Sequence, residues 1–244
     1  MMWVNGSMSN IVDFHTHILP EIDDGSSGLS ESIAMLRKQA EQGIAHVIAT
    51  PHFYAKYDSP ERFLRRRDLA EARLREEMSK YDGLPKLSVG AEVYYFSGIS
   101  DSDSIQELTF SGGQCILIEM PTPPWTEQMY RELEGIWSKK GLIPIVAHVD
   151  RYISPFRTHH IPERLSKLPV LVQANAEFFL RKATAGMAVR MLRDGRIHLL
   201  GSDCHDLSER PPELGQAIGM IQKRLGQSAV ERIIRYQNKA LSEK

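Results

Sequence analysis

The chain alternates short apolar runs with stretches in which apolar residues recur at helical spacing. Runs at Ile11–Phe14, Ile44–Ala49, Leu87–Ala91, Cys115–Glu119, Ile143–His148, Val170–Asn175 and Ile197–Ser202 are almost continuously apolar. That is the pattern of strands buried on both faces. Between them, Leu29, Ile33, Leu36 and Ala40 recur at i, i+4, i+7 and i+11 ahead of Gly43, a helix and its stop signal. Met129, Leu133 and Ile136 form a second stripe before Gly141, and Pro60–Lys80 reads as a charged helix. Met187–Leu192, Leu214–Leu225 and Ala229–Leu241 continue the alternation, with loops at Tyr94–Gly113 and Arg151–Pro162. Seven strands alternating with helices predict an α/β fold with a mostly parallel sheet, open or closed into a barrel. No Pro/Gly/Ser-rich linker divides the chain, so residues 11–244 read as one domain. Residues 1–10, MMWVNGSMSN, read as a short polar leader or, in part, a cloning remnant.

Composition narrows the function classes. Across 244 residues, 30 Lys plus Arg face 31 Asp plus Glu, for a net charge of -1. This gives no support for a nucleic-acid partner, which usually selects an excess of basic charge. Two cysteines, Cys115 and Cys204, are too few for a disulfide framework and suit a reducing compartment. No apolar run approaches the roughly 20 residues of a transmembrane helix. The leader lacks the charged and apolar regions of a secretion signal. The expectation is a soluble cytoplasmic enzyme.

The informative residues are polar and fall at strand ends. His15 and His17 follow the first strand, His52 the second and Glu92 the third. Glu119 ends the fourth strand, His148 ends the fifth, and Asp203 and His205 follow the seventh. In parallel α/β folds the C-terminal strand ends share one rim, where active sites lie. Imidazoles and carboxylates without thiolates suit manganese, zinc or iron. Eight side chains exceed the needs of one catalytic ion, so two or three neighbouring ions are expected. Such clusters hydrolyse phosphate esters by generating hydroxide and holding the phosphoryl and leaving oxygens. Asp24, in a tight-turn sequence before Gly25, is a further ligand candidate. Asp13 is expected to orient a ligating imidazole. Arg151 and Arg210 lie just beyond rim residues, where a guanidinium can fork onto phosphate.

Each position also has a plainer reading. His52 would merely mark the turn at Pro51, Glu92 a solvated strand end, His148 a core histidine, and Asp203 a cap for a helix near Leu207. These readings must all hold together, which favours the metal site. His46, His159, His160 and His198 are assigned structural or surface roles. Arg65, Arg66 and Arg67 sit among Glu61, Asp68 and Glu71 and read as a salt-bridged, solvated face. Cys204 and Arg210 match the bare C-x5-R spacing of a cysteine phosphatase loop. The intervening residues hold two acids and no glycine, and Pro211 and Pro212 lack N–H donors. A thiolate nucleophile is therefore not expected.

Asp13-Phe14-His15-Thr16-His17, Asp23-Asp24-Gly25, Thr50-Pro51-His52 and Ser202-Asp203-Cys204-His205 resemble the polymerase and histidinol phosphatase (PHP) superfamily. Within it, Ile18 to Gly25, Gly90 to Tyr95, Ala147 to Tyr152 and Arg210-Pro211-Pro212 resemble the bacterial capsular-polysaccharide type of metal-dependent protein-tyrosine phosphatase. The resemblance runs from about Ile11 to Leu241. It implies a distorted seven-stranded (β/α) barrel, TIM-barrel-like, with the active site at the C-terminal rim. It implies three metal ions, commonly manganese. His15, His17, Glu92 and Asp203 would hold one, and Glu92 would bridge to a second with Glu119 and His148. Asp24, His52 and His205 would hold the third, while Arg151 and Arg210 would contact phosphate. The implied substrate is phosphotyrosine on the tail of a bacterial tyrosine kinase controlling capsule or exopolysaccharide assembly. Asp150 stands where the family usually has Glu, and Asn175-Ala176-Glu177-Phe178-Phe179 departs from the usual Ser-containing stretch, which bears on substrate-side shape. Phe178, Phe179 and Trp125 are expected to pack rather than to contact substrate. The competing readings are a small-molecule phosphatase of the histidinol-phosphatase type and a non-catalytic metal-binding partner module.

Overall fold

The computed structural model describes residues 10–153 and 160–242. The chain runs β1 (Ile11–Thr16), α1 (Leu29–Glu41), β2 (Ile44–Ala49), β3 (His52–Phe53), α2 (Pro60–Met78), β4 (Lys86–Val89), β5 (Glu92–Tyr94) and β6 (Cys115–Glu119). It continues through α3 (Glu127–Lys140), β7 (Ile143–Val146), α4 (Ile161–Leu165), β8 (Leu171–Asn175), α5 (Ala176–Leu180) and α6 (Ala185–Arg193). β9 (Leu199–Gly201), α7 (Leu214–Leu225) and α8 (Gln227–Leu241) complete it. The loop expected at 94–113 carries short 3-10 turns. The leader, apart from Asn10, and His159 lie outside the described residues.

All strand pairs are parallel, in the orders β1-β2-β4 and β3-β5-β6-β7-β8-β9. Nine strands are described where the pattern of apolar runs predicts seven. The difference arises at Thr50-Pro51 and Gly90-Ala91, where two neighbouring strands break together. β2 pairs with β4 before the breaks and β3 with β5 after them. Pro51 has no N–H to give to a ladder. Across the gap, Gly90 N donates to Ala49 O at 2.9 Å and Glu92 N to Pro51 O at 3.0 Å. The sheet is curled, and the segment after β9 comes beside the end of β1 through an isolated bridge of Thr16 with Cys204. Asp203 N donates to His15 O at 2.8 Å and His17 N to Cys204 O at 2.9 Å.

The continuous apolar runs have a direct cause. Along β2, β6, β7, β8 and β9, alternate residues enter two different apolar clusters. Val47, Ile116, Val146, Val172 and Leu200 pack with the helices, joined by Ile33 and Leu36 of α1. Ile48, Leu117, Ile145, Leu171 and Leu199 pack with Phe14 and Phe110 on the other face. Both faces are dry, so period-2 polar alternation is missing. Trp125, Phe178 and Phe179 are buried, as expected of packing residues. His46 meets Ser88 Oγ at 2.8 Å, and His198, just before β9, accepts from Val172 N at 3.0 Å. Burial, aided by Lys86 beside His46 and Arg232 beside His198, pushes both imidazoles down to about 4. Among the described residues, no helix is long and apolar enough to cross a membrane.

Candidate metal centre

The first strand delivers His15 and His17 to the rim, and two glycines set their positions. At Gly25 a Cβ would lie 2.2 Å from His17 O and 2.5 Å from His17 Cβ. At Gly201 a Cβ would lie 2.5 Å from His15 Cβ. Only the bare backbone of each turn fits against these histidines. The β3–β5 register pairs His52 with Glu92. His148 and Asp203 leave their strands with φ of +28° and +55°. Such conformations cost of order 1–3 kcal/mol each in non-glycine residues and concentrate where a side chain must be re-aimed.

His15 Nε2 and His17 Nε2 lie 3.1 Å apart. Glu92 Oε2 is 3.1 Å from the first and 3.3 Å from the second, and Asp203 Oδ1 is 3.4 Å from each. A tetrahedral shell of ligands at ~2.1 Å puts neighbouring donors about 3.4 Å apart, so this set fits one ion. His148 Nε2 lies 2.7 Å from Glu92 Oε1 and 3.5 Å from Glu119 Oε1. His52 Nδ1 is 3.0 Å from Glu92 Oε2. Asp24 Oδ1 lies 3.3 Å from His52 Nε2 and 3.4 Å from His205 Nε2. All nine expected ligand residues therefore fall within four overlapping groups able to hold metal ions, with Glu92 shared by two of them. Glu92 Oε2, Asp203 Oδ1, His52 Nδ1 and His205 Nε2 are buried in close contact yet make no hydrogen bond. Crowded donor atoms aimed at common points suit cations better than one another.

Electrostatics point the same way. Burial opposes ionisation of Glu92 and Asp203, but the charge of His15 holds both well below the usual carboxylate range, helped at Glu92 by a hydrogen bond from His148. Burial and the neighbouring His17 push His205 down to about 4, keeping a neutral imidazole of the kind that ligates. Its Nδ1 lies 3.0 Å from the Asp203 carbonyl, which can only accept, so Nε2 carries the lone pair facing Asp24.

Asp13 departs from expectation. Its carboxylate accepts from Ser202 N at 2.8 Å, Gln39 Nε2 at 2.6 Å and His15 N at 3.3 Å, so it braces main chain rather than an imidazole ring. The ring-orienting carboxylate is Asp23, whose Oδ2 meets His17 Nδ1 at 2.8 Å. It also accepts from Gly25 N and His52 N. Burial works against its ionisation, but the His17 hydrogen bond and charge bring Asp23 down to about 2. Its only sequence signal is the acidic doublet before Gly25. Gln173 and Asn175 are further contributors hidden in an apolar strand. Gln173 Oε1 accepts from His148 N at 2.5 Å, and Asn175 Nδ2 donates to Asp203 Oδ2 at 2.8 Å. Asp23→Asn is expected to weaken metal binding about 10–100-fold with the fold intact, read by metal titration. Unchanged affinity would leave Asp23 a turn-forming residue only.

Arg151 Nη2 and Arg210 Nη2 reach Asp203 Oδ2 at 2.5 and 2.8 Å, and Arg151 Nη1 lies 3.3 Å from Glu119. Both guanidiniums line a cavity of about 320 Å³ that opens beside Asp203. Cys204 Sγ, by contrast, is fully buried. Burial and the nearby Asp13 carboxylate raise its thiol far above the usual range.

Fold and site together define a parallel α/β protein carrying an imidazole–carboxylate centre suited to metal ions at the C-terminal ends of its strands. The chain belongs to the CpsB/CapC family of capsular polysaccharide synthesis, whose model matches residues 11–242. It is 29% identical over 226 residues to the tyrosine-protein phosphatase YwqE of Bacillus subtilis, covering 88% of this chain and 85% of that one. It is 25% identical over 226 residues to the tyrosine-protein phosphatase CpsB of Streptococcus pneumoniae, covering 88% and 91%. Its fold matches, with a TM-score of 0.81 at 22% identity and 96% coverage of both chains, a structure from work on YwqE of B. subtilis and CpsB of S. pneumoniae, described as unique metal-dependent tyrosine phosphatases.

Proposed function

We propose that this chain is a metal-dependent phosphomonoesterase that removes phosphate from protein phosphotyrosine. The carrying observation is the overlap of the donor groups through Glu92, with two guanidiniums at the edge of the same cluster. Family membership and the names of the relatives support the same reading. His15, His17, Glu92 and Asp203 would hold one ion, and Glu92, Glu119 and His148 a second. Asp24, His52 and His205 would hold a third, with manganese as the metal. Bound there, the ions would supply Lewis acidity and an activated water. Arg151 and Arg210 would turn from Asp203 towards the phosphoryl oxygens and neutralise charge developing on them. Asp23 and the Asp203 carbonyl would keep His17 and His205 in the tautomers that present Nε2 to the site.

The reading extends to architecture and setting. Counting each broken strand once gives seven strands, a distorted (β/α) barrel forming one catalytic domain over residues 11–244. The substrate would be the phosphotyrosine-bearing tail of a bacterial tyrosine kinase that controls capsule or exopolysaccharide synthesis. Two buried, unpaired cysteines support a cytoplasmic location.

A tyrosine-phosphorylated peptide is expected to be turned over with kcat/KM about a hundredfold above that for histidinol phosphate. Preference for histidinol phosphate would replace this reading with the small-molecule phosphatase. Stoichiometric metal with no turnover of any phosphoester would replace it with a binding module.

A further inference from the structure

A second opening, of about 610 Å³, shares no lining residue with the cavity beside Arg151 and Arg210. Asp24 and His52 of the ligand cluster line it together with Tyr54, Tyr57, Asp58, Arg62 and Arg66. The rings form a path from the metal centre outwards. His52 and Tyr54 have centroids 5.4 Å apart, and Tyr54 and Tyr57 6.4 Å apart. Tyr94 flanks Tyr54 at 5.6 Å. Tyr57 is 69% exposed, a large apolar area for a side chain with no core to fill.

The lining also carries two guanidiniums. Arg62 and Arg66 both bind the one carboxylate of Asp58, and Arg62 Nη2 donates to Tyr57 O at 2.6 Å. Lys56 Nζ sits 5.2 Å from the centre of the Tyr57 ring. The two guanidiniums of the lining therefore share one acid, Asp58, with Lys56 beside the Tyr57 ring. The other two acids of the lining, Asp23 and Asp24, are engaged with His17, His52 and His205. A face held this way pre-positions guanidiniums for carboxylates and exposes flat rings for stacking.

We infer that this groove binds the polypeptide flanking the phosphotyrosine, selecting acidic and aromatic side chains beside the phosphorylated residue. The inference rests on the phosphotyrosine reading above and deepens it. It assigns substrate selection to Tyr54, Tyr57, Arg62 and Arg66, none of which belongs to the metal cluster. The three-arginine run that looks like a plain solvated face in the sequence thereby contributes Arg66 to recognition.

The test compares two phosphotyrosine peptides, one with acidic and one with basic flanks, against p-nitrophenyl phosphate. Wild type is expected to favour the acidic peptide over the basic one, and the preference should shrink with added salt. In Tyr57→Ala and Arg66→Gln, the ratio of kcat/KM on the acidic peptide to that on the small ester is expected to fall about tenfold, mainly through KM. Bound metal should stay constant in both variants. An unchanged ratio, or equal loss on peptide and small ester, would overturn the groove assignment. Wild type that hydrolyses the small ester but no phosphopeptide would overturn the protein-substrate reading with it. A phosphonate analogue of the acidic peptide, bound equally by wild type and both variants in calorimetry, would overturn the groove independently of turnover.

Discussion

Asp203→Asn is expected to lower kcat/KM on a phosphopeptide by about a thousandfold and to remove at least one bound metal ion per chain. The reason lies in the two different environments of its oxygens. Oδ1 faces His15 Nε2 and His17 Nε2, each at 3.4 Å. Oδ2 accepts from Arg151, Arg210 and Asn175. An amide cannot serve both sides. With its nitrogen towards the guanidiniums, three donors meet a fourth donor. With its nitrogen towards the imidazoles, the anionic donor of the metal site is gone. Either orientation leaves the groups packed around this buried carboxylate short of a counter-charge, which is costly. The backbone at φ +55° is tolerated by Asn at least as well as by Asp, so the change isolates charge from conformation. Elemental analysis of the purified variant, beside circular dichroism to establish folding, provides the check. A folded variant with full metal content and activity would remove Asp203 from the site.

How much of this was legible in the sequence differs between fold and site. Parallel strands were legible because both sheet faces are apolar, and runs such as Cys115–Ile118 have no other ready explanation. The breaks at Thr50-Pro51 and Gly90-Ala91 were not, because paired interruption of neighbouring strands is a register property. Short helices such as α5 and the 3-10 turns before β6 lack the length for a periodic signal. The ligand candidates stood out because His15, His52, Glu92 and Asp203 punctuate apolar strand ends. The groups that hold them did not. Asp23 was one of two adjacent acids, and Asn175 looked like an ordinary strand terminus. Gln39 and Gln237 occupy helix positions that a hydrophobic stripe does not mark, yet both are fully buried. Gln39 braces Asp13, and Gln237 pairs with both Val12 N and Val12 O at the start of β1. Polar side chains that satisfy buried partners across the fold leave no local pattern. Asp13 shows the converse: its place between apolar residues marked it as important, and only the three-dimensional contacts separated bracing of main chain from orientation of a ring.

Removing metal is expected to abolish turnover, and manganese to restore it, while Cys204→Ser keeps most of the activity. The two halves of this prediction discriminate mechanisms. A cysteine phosphatase requires a thiolate under a loop of phosphate-facing N–H groups. Cys204 offers the opposite setting. Its thiol is fully buried, raised by burial and by the Asp13 carboxylate, and its Sγ lies 3.9 Å from Gln39 Nε2. Arg210, the arginine of the C-x5-R match, is engaged with Asp203. Asp206 takes up the turn, accepting from the main-chain N–H groups of Ser208, Glu209 and Arg210, so those donors face a side-chain carboxylate. Serine at 204 would place a hydroxyl in a buried site within reach of Gln39, costing about 1–3 kcal/mol of stability if poorly paired. The substitution should therefore lower the melting temperature more than kcat. Chelation acts on the other half: it withdraws cations from donor atoms such as Glu92 Oε2 and Asp203 Oδ1 that make no hydrogen bond of their own, and activity measured before and after remetallation should fall and return by about a thousandfold or more. Activity that survives chelation and disappears in a folded Cys204→Ser would place the nucleophile at the thiol and overturn the metal mechanism.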